Sequence, residues 1–115
     1  MILDDGTLEI FKIHESAAPG GKPKKVIRPL FEPCWYGELN VGYRRQYAAM
    51  GVSQQVDKLL RIWQERGITI GMVAVLDDSE QYRIDNAQHL IDDKTGEPVT
   101  HLTLRRLDRF YEIDR

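Results

Sequence analysis

Three histidines, a single cysteine and three adjacent aspartate pairs are the side chains of this 115-residue sequence best suited to chemistry. His14, His89 and His101 stand far apart, and none has a second His or Cys at metal-ligating spacing. They read as exposed or structurally satisfied residues. A nucleophilic Cys34 needs a histidine beside it and a third group to orient that histidine. Placed between Pro33 and Trp35, it reads instead as a small buried hydrophobe. Asp4-Asp5, Asp77-Asp78 and Asp92-Asp93 lack the alternating acidic spacing of a calcium loop, and all three fall where aspartate favours a turn. Gly37 and Gly42 have the separation of a phosphate-binding loop, but Tyr43-Arg44 follows where Lys-Ser/Thr is required. The expectation is a protein without a catalytic or metal site, without a cofactor, and not an enzyme.

Two basic features remain. Lys22, Lys24 and Lys25 crowd a loop rich in glycine and proline, and Arg44-Arg45 lie between Tyr43 and Tyr47. Cations interleaved with aromatic rings can stack on bases and pair with phosphates. The plainer reading is a solvated loop and a helix with one packed face. Both groups are candidate contact surfaces for a partner.

The composition bounds these readings. The length suits one domain, 1–115, and 42% apolar residues suffice for one core. A formal net charge of −2 argues against non-specific grip on nucleic acid, although a local basic patch remains compatible with it. One cysteine cannot make an internal disulfide, which points to a reducing compartment. No apolar run approaches the roughly 20 residues of a membrane helix, and MILDDGTLEIFK has no signal-peptide character.

The elements that must carry these residues are mostly extended. Thr7–His14 alternates, with Leu8 and Ile10 on one side and Phe11 and Ile13 on the other. Residues 16–25 hold two prolines and two glycines and read as a flexible basic loop. From Val26 to Val41 the chain is extended but interrupted by Pro29 and Pro33, which suggests an edge or bulged strand. Residues 43–50, bounded by Gly42 and Gly51, favour a two-turn helix. Val56–Trp63 fits helix and strand periods almost equally, and its neighbours favour strand. Met72–Leu76, a turn at Asp77-Asp78-Ser79 and Glu80–Ile84 form a hairpin, with Tyr82 and Ile84 inward and Gln81, Arg83 and Asp85 outward. Gln88–Ile91 prolongs the second strand, and a turn at 92–96 uses Gly96 for positive φ. A last strand runs from Val99, with Leu102, Leu104 and the displaced Leu107 as its apolar side and Phe110, Tyr111 and Ile113 closing the chain. About six strands and one short helix predict a mainly β fold, a small antiparallel barrel or sandwich.

The order of features is itself informative. An initial strand and Gly/Pro loop precede Trp35-Tyr36-Gly37-Glu38, Val41–Ala49 and Gln81-Tyr82-Arg83-Ile84, and Leu102–Leu107 and Phe110–Ile113 end the chain. This order resembles that of the small proteins of the tailed-phage and prophage head–tail joining block, the head-closure (stopper) and head–tail adaptor proteins. The resemblance spans roughly Gly6 to Ile113 and is one of pattern, with a longer segment around residues 43–55. It implies a small barrel subunit, and the expectation for the isolated chain is a monomer or small oligomer. On assembly it forms a homo-oligomeric ring between portal or adaptor and tail, with one loop helping to retain packaged DNA. It also implies synthesis in the bacterial host cytoplasm and a final place at the virion head–tail junction, with no membrane partner. Stopper, adaptor and tail-completion roles stay open. The alternative is a small barrel that binds nucleic acid through the basic loop and the Tyr43–Tyr47 segment.

Overall fold

Apolar residues at alternate positions of six strands face one another and close the sheet on itself. The computed structural model describes residues 3–16, 20–39 and 56–114. Among them are eight strands: β1 (Gly6–Ser16), β2 (Lys24–Pro29), β3 (Cys34–Glu38), β4 (Lys58–Trp63), β5 (Val73–Leu76), β6 (Gln81–Ile91), β7 (Pro98–Arg106) and β8 (Glu112–Ile113). The order β3-β4-β7-β6-β5-β1 returns to its start through a β1–β3 pairing, so six antiparallel strands form a closed barrel. Strands β2 and β8 are additions outside it. The expected helix at 43–50 lies outside the described residues.

Each barrel strand sends every second side chain inward. Leu8 and Ile10, Tyr36, Leu60 and Ile62, Ala74 and Leu76, Tyr82 and Ile84, and Leu102 and Leu104 form the interior, joined by Ile68 from the β4–β5 connection. The segment at 56–63, ambiguous by period, is a strand from Lys58. Its Leu60 and Ile62 reach the interior, and pairing with β7 from Lys58↔Leu104 to Trp63↔Val99 fixes the choice.

A second apolar cluster lies on the outer wall. Phe11, Ile27 and Val73 are fully buried there, with Ile13, Val75, Leu107 and Tyr111 packed against them. Its roof is the chain after β7, which crosses the wall and ends in β8, parallel to β2. Gln81 holds that roof down. Its Nε2 donates to the Tyr111 carbonyl at 2.8 Å, and its Oε1 accepts from the Tyr111 amide at 2.7 Å. Gln81 does point away from the barrel, as the alternation predicts, yet it is only 4% exposed because this strap covers it.

Three expectations need correction. The loop expected at 16–25 is shorter, because Ser16↔Lys24 and Glu15↔Lys25 continue the β1–β2 ladder. Buried Ile27 opposite Ile13 sets that register, and Pro23 sits just before the strand, where its missing donor costs no ladder bond. Pro29 and Pro33 end β2 and precede β3 and so divide the expected long strand in two. Leu107 packs in the outer cluster instead of extending the β7 interior row, while Phe110 and Ile113 remain exposed.

The turns follow aspartate chemistry. Asp92 Oδ1 accepts from the amides of Lys94 at 2.9 Å and Thr95 at 3.1 Å, and Gly96 takes φ +73° to close that turn. Asp78 Oδ1 accepts from the Glu80 amide at 2.9 Å, and Asp5 Oδ2 accepts from the Glu38 amide at 2.7 Å. Each aspartate pair thus contributes a backbone bond at a turn or strand end.

Candidate interaction surface

Of the residues singled out from sequence, Lys22 is exposed in the β1–β2 connection, and Lys24 and Lys25 are exposed on β2. The two on β2 face acidic residues. Lys24 pairs with Glu112 of β8, its neighbour Arg28 with Asp114 at 2.9 Å, and Lys25 stands in register with Glu15. Tyr43, Arg44, Arg45 and Tyr47 lie outside the described residues.

The chemically suggestive residues do not converge. His89 meets Thr100 Oγ1 at 2.8 Å. His101, on β7, receives a hydrogen bond from Arg61 Nε at 3.4 Å, and Arg61 also pairs with Asp92 at 3.3 Å. Burial and then the Arg61 charge push His101 down to about 4, so it is neutral at neutral pH. Asp92 sits below the usual carboxylate range, first because the Thr95 and Lys94 amides donate to it. Burial, with Glu65 nearby, raises the Cys34 thiol and suppresses its thiolate. Among the described residues, no group of three or more His, Cys, Asp or Glu is placed to hold a metal ion.

A different constellation does converge. Arg83 of β6 and Arg105 of β7 stand opposite each other on the outer wall. Like charges facing across a ladder are unfavourable. The β6 register shift between Ile84 and Asn86 falls at Asp85, and such irregularities re-aim side chains. Asp85 lies 3.7 Å from Arg83 and 3.5 Å from Arg105, so one carboxylate serves both guanidinium groups. These arginines edge an open groove of about 1060 Å³ that Arg106, the carboxylates of Asp57 and Asp108, and the apolar Ile13, Val73, Leu107, Phe110 and Tyr111 also line. Phe110 is 54% exposed at its rim. Sequence alternation marks Arg83 as outward but not its partner. Folding the hairpin about its turn in the register of Ile91↔Pro98 would set 83 against 106, and the shift at Asp85 brings it opposite 105, so no sequence signal marked the pair.

The wall across the barrel presents different side chains. In the closed order, β3 and β6 are separated by two strands in either direction, so they lie on opposite sides. Trp35, on β3, is 58% exposed, and Leu30 is exposed just before it. Glu9 and Glu32 line a shallow hollow with Leu30, and Glu38 ends the strand, paired with Lys58 at 3.1 Å. At the same end Tyr36 lies 3.4 Å from Asp77 and is pushed up to about 12 by burial, then by Asp77 and Glu38.

Geometry defines the class: a closed six-stranded antiparallel barrel with an outer strap, an arginine-edged groove on one wall and an exposed tryptophan on the other. Comparison with protein-family models and with curated proteins finds no match.

Proposed function

We propose that the chain is a structural subunit of a phage or prophage head–tail connector, present as a ring between portal or adaptor and tail and helping to retain packaged DNA. The observation that carries this reading is the pair of unlike surfaces on opposite walls of a closed barrel. A ring requires a head-to-tail contact between two different patches of each subunit. A lone binding module needs one such patch. The order of strands, loop and closing arginine–aromatic segment, which resembles that of the joining proteins, supports the same reading.

The nucleic-acid alternative has weaker support, since Lys24 and Arg28 each have an acidic partner on the strap. The test is deletion of the gene from the genome that carries it. Unjoined heads and tails, with DNA lost from the heads, are expected. Joined particles at parental yield would overturn the proposal.

A further inference from the structure

We infer that the outer edge of β1, at Ile13 and Glu15, accepts an extended segment of another protein as an added strand, lying in the groove where β5 stops. The segment is without net charge and apolar at alternate positions. This inference does not depend on the connector reading.

Register shows which main-chain groups are open. Leu30 donates its amide to the Ile10 carbonyl at 2.9 Å, so Ile10 turns its main chain towards β2. Alternation along the ladder from Phe11↔Pro29 to Ser16↔Lys24 then turns Lys12, His14 and Ser16 towards β2, and Phe11, Ile13 and Glu15 the other way. Phe11 meets Val73, the first residue of β5. Just before Val73 the chain leaves β1. Gly71 takes φ +95° and donates its amide to the Ile84 carbonyl at 2.9 Å, and the Met72 carbonyl accepts from the Ile84 amide at 2.9 Å. Among the described residues, the amides and carbonyls of Ile13 and Glu15 have no hydrogen-bond partner. The other edge of the same hairpin is closed, since β8 pairs with β2 and Asp114 donates to the Ile27 carbonyl at 2.8 Å. Proline, bulges and covering segments blunt open edges, and the β1 ladder from Phe11 to Ser16 has no proline and no register shift. Lys12 and Glu15 stand on opposite faces of the sheet and leave the line of the edge open.

Two residues with open main-chain groups, two apart on a strand, recognise another extended main chain. The groove supplies room for it. Ile13 and Gly71 both line it, and its volume of about 1060 Å³ is that of the largest ligand pockets, about 1,000 Å³. A strand antiparallel to β1 and in line with β5 turns every second side chain towards Ile13, Val73 and Tyr111 of the outer cluster. Those positions call for apolar residues. Charge argues against an ionic segment. Arg83 and Arg105 have Asp85, Arg106 has Glu80 at 2.9 Å, and Asp57 and Asp108 also line the groove. Neither an acidic peptide nor a nucleic-acid phosphate finds uncompensated positive charge there, and a segment without net charge matches the balance.

The probe is a capped, uncharged heptapeptide of alternating valine and threonine, added to the whole chain. In the free protein the amides of Ile13 and Glu15 should exchange faster than those of Lys12 and His14, which β2 protects. The peptide should slow the first pair, leave the second unchanged and saturate below millimolar concentration. The same peptide N-methylated at the amides that face β1 keeps its side chains but loses its donors, and should bind about tenfold more weakly. Glu15→Pro removes an amide that the fold does not use, so it should keep the parental Tm and lose a similar factor in binding. His14→Pro takes an amide from the β2 ladder and should lower Tm. Should Glu15→Pro also lower Tm, the N-methylated peptide makes the comparison on the unaltered chain. Protected Ile13 and Glu15 amides in the free monomer, no slowing at millimolar peptide, or equal binding of the N-methylated peptide would each overturn the inference. Protection of the same amides by self-association of the parent would overturn it too, because a second copy would then be the occupant. The connector role is tested separately, by the gene deletion.

Discussion

Lys24 and Arg28 on β2, and Arg83 and Arg105 on β6 and β7, are four cations on exposed strand positions in different electrostatic settings. On β2 each has a separate acid, Glu112 or Asp114, supplied by the chain end. On the groove wall two guanidinium groups share Asp85. The lysine-rich stretch draws attention in the sequence, yet much of its charge is answered internally. The groove arginines look like ordinary outward residues until register sets them face to face. Whether a strand cation has an acid of its own is thus set by register and pairing, and not by how many cations crowd a stretch of sequence.

Both regions rest on the outer apolar cluster, so the strongest way to break the comparison is to remove their common base. Phe11 is fully buried against Ile27 under the β2 arm and Val73 beside the groove. Phe11→Ala should cost about 3–5 kcal/mol, the range for truncating a buried aromatic ring. Denaturant unfolding measures it. A loss below about 1 kcal/mol, too small for a filled core site, would show that the arm and strap hold without this cluster.

A fifth cation, Arg61, shows the enclosed extreme. It bridges Asp92 and a neutral His101 that is 2% exposed. The folded His101 value of about 4 lies below the ordinary 6.5, so the unfolded chain binds more protons between these limits. The stability contribution is therefore complete above about pH 6.5 and is lost as pH falls towards 4, by about 3 kcal/mol from this residue. Urea midpoints measured across that window should fall with acidification, and His101→Gln should flatten the slope. An unchanged slope in the variant would remove His101 as the cause.

The strands and turns were legible because their signals are local. Alternation in β1 and β6, the Asp-Asp-Ser turn and Gly96 each constrain a few neighbouring residues. The β2 lysines were placed in a loop because Gly-Gly-Lys-Pro masks where the ladder resumes, and only Ile27 packing against Phe11 and Val73 reveals it. Leu107 was grouped, though displaced, with the apolar side of Leu102 and Leu104, because its place in the outer cluster depends on Gln81, far away in sequence, holding the strap. Asp85 could be read as outward, but its double duty depends on an irregularity that no alternation pattern specifies.

Gln81 gives an intermediate effect and tests whether the groove border is independent of the arm. Replacing it with alanine leaves the Tyr111 amide and carbonyl without their side-chain partner. Loss of such bonds costs about 1–3 kcal/mol. Amide exchange at Tyr111 should accelerate more than that of the barrel strands. Equal acceleration throughout would mean that strap and barrel open as one unit.

The smallest effect sharpens the comparison most, because it depends on the sign of a salt response. Lys24→Ala and Arg28→Ala each remove one cation from an exposed attractive pair, so each should lose at most about 1 kcal/mol at low salt and almost nothing at high salt. Arg105→Gln removes attraction to Asp85 and repulsion from Arg83 together while keeping most of the side-chain stem. Its stability should stay within about 0.5 kcal/mol of the parent with little response to salt, since cross-strand pairs of either sign have comparable small magnitudes. Asp85→Asn leaves the two arginines facing each other without their shared carboxylate, so its deficit should be largest at low salt and shrink as screening increases. Thermal unfolding of the four variants at two salt concentrations separates these responses. If Arg105→Gln instead loses stability at low salt as the β2 variants do, Arg105 is an ordinary partner of Asp85. The contrast between the two basic regions then fails.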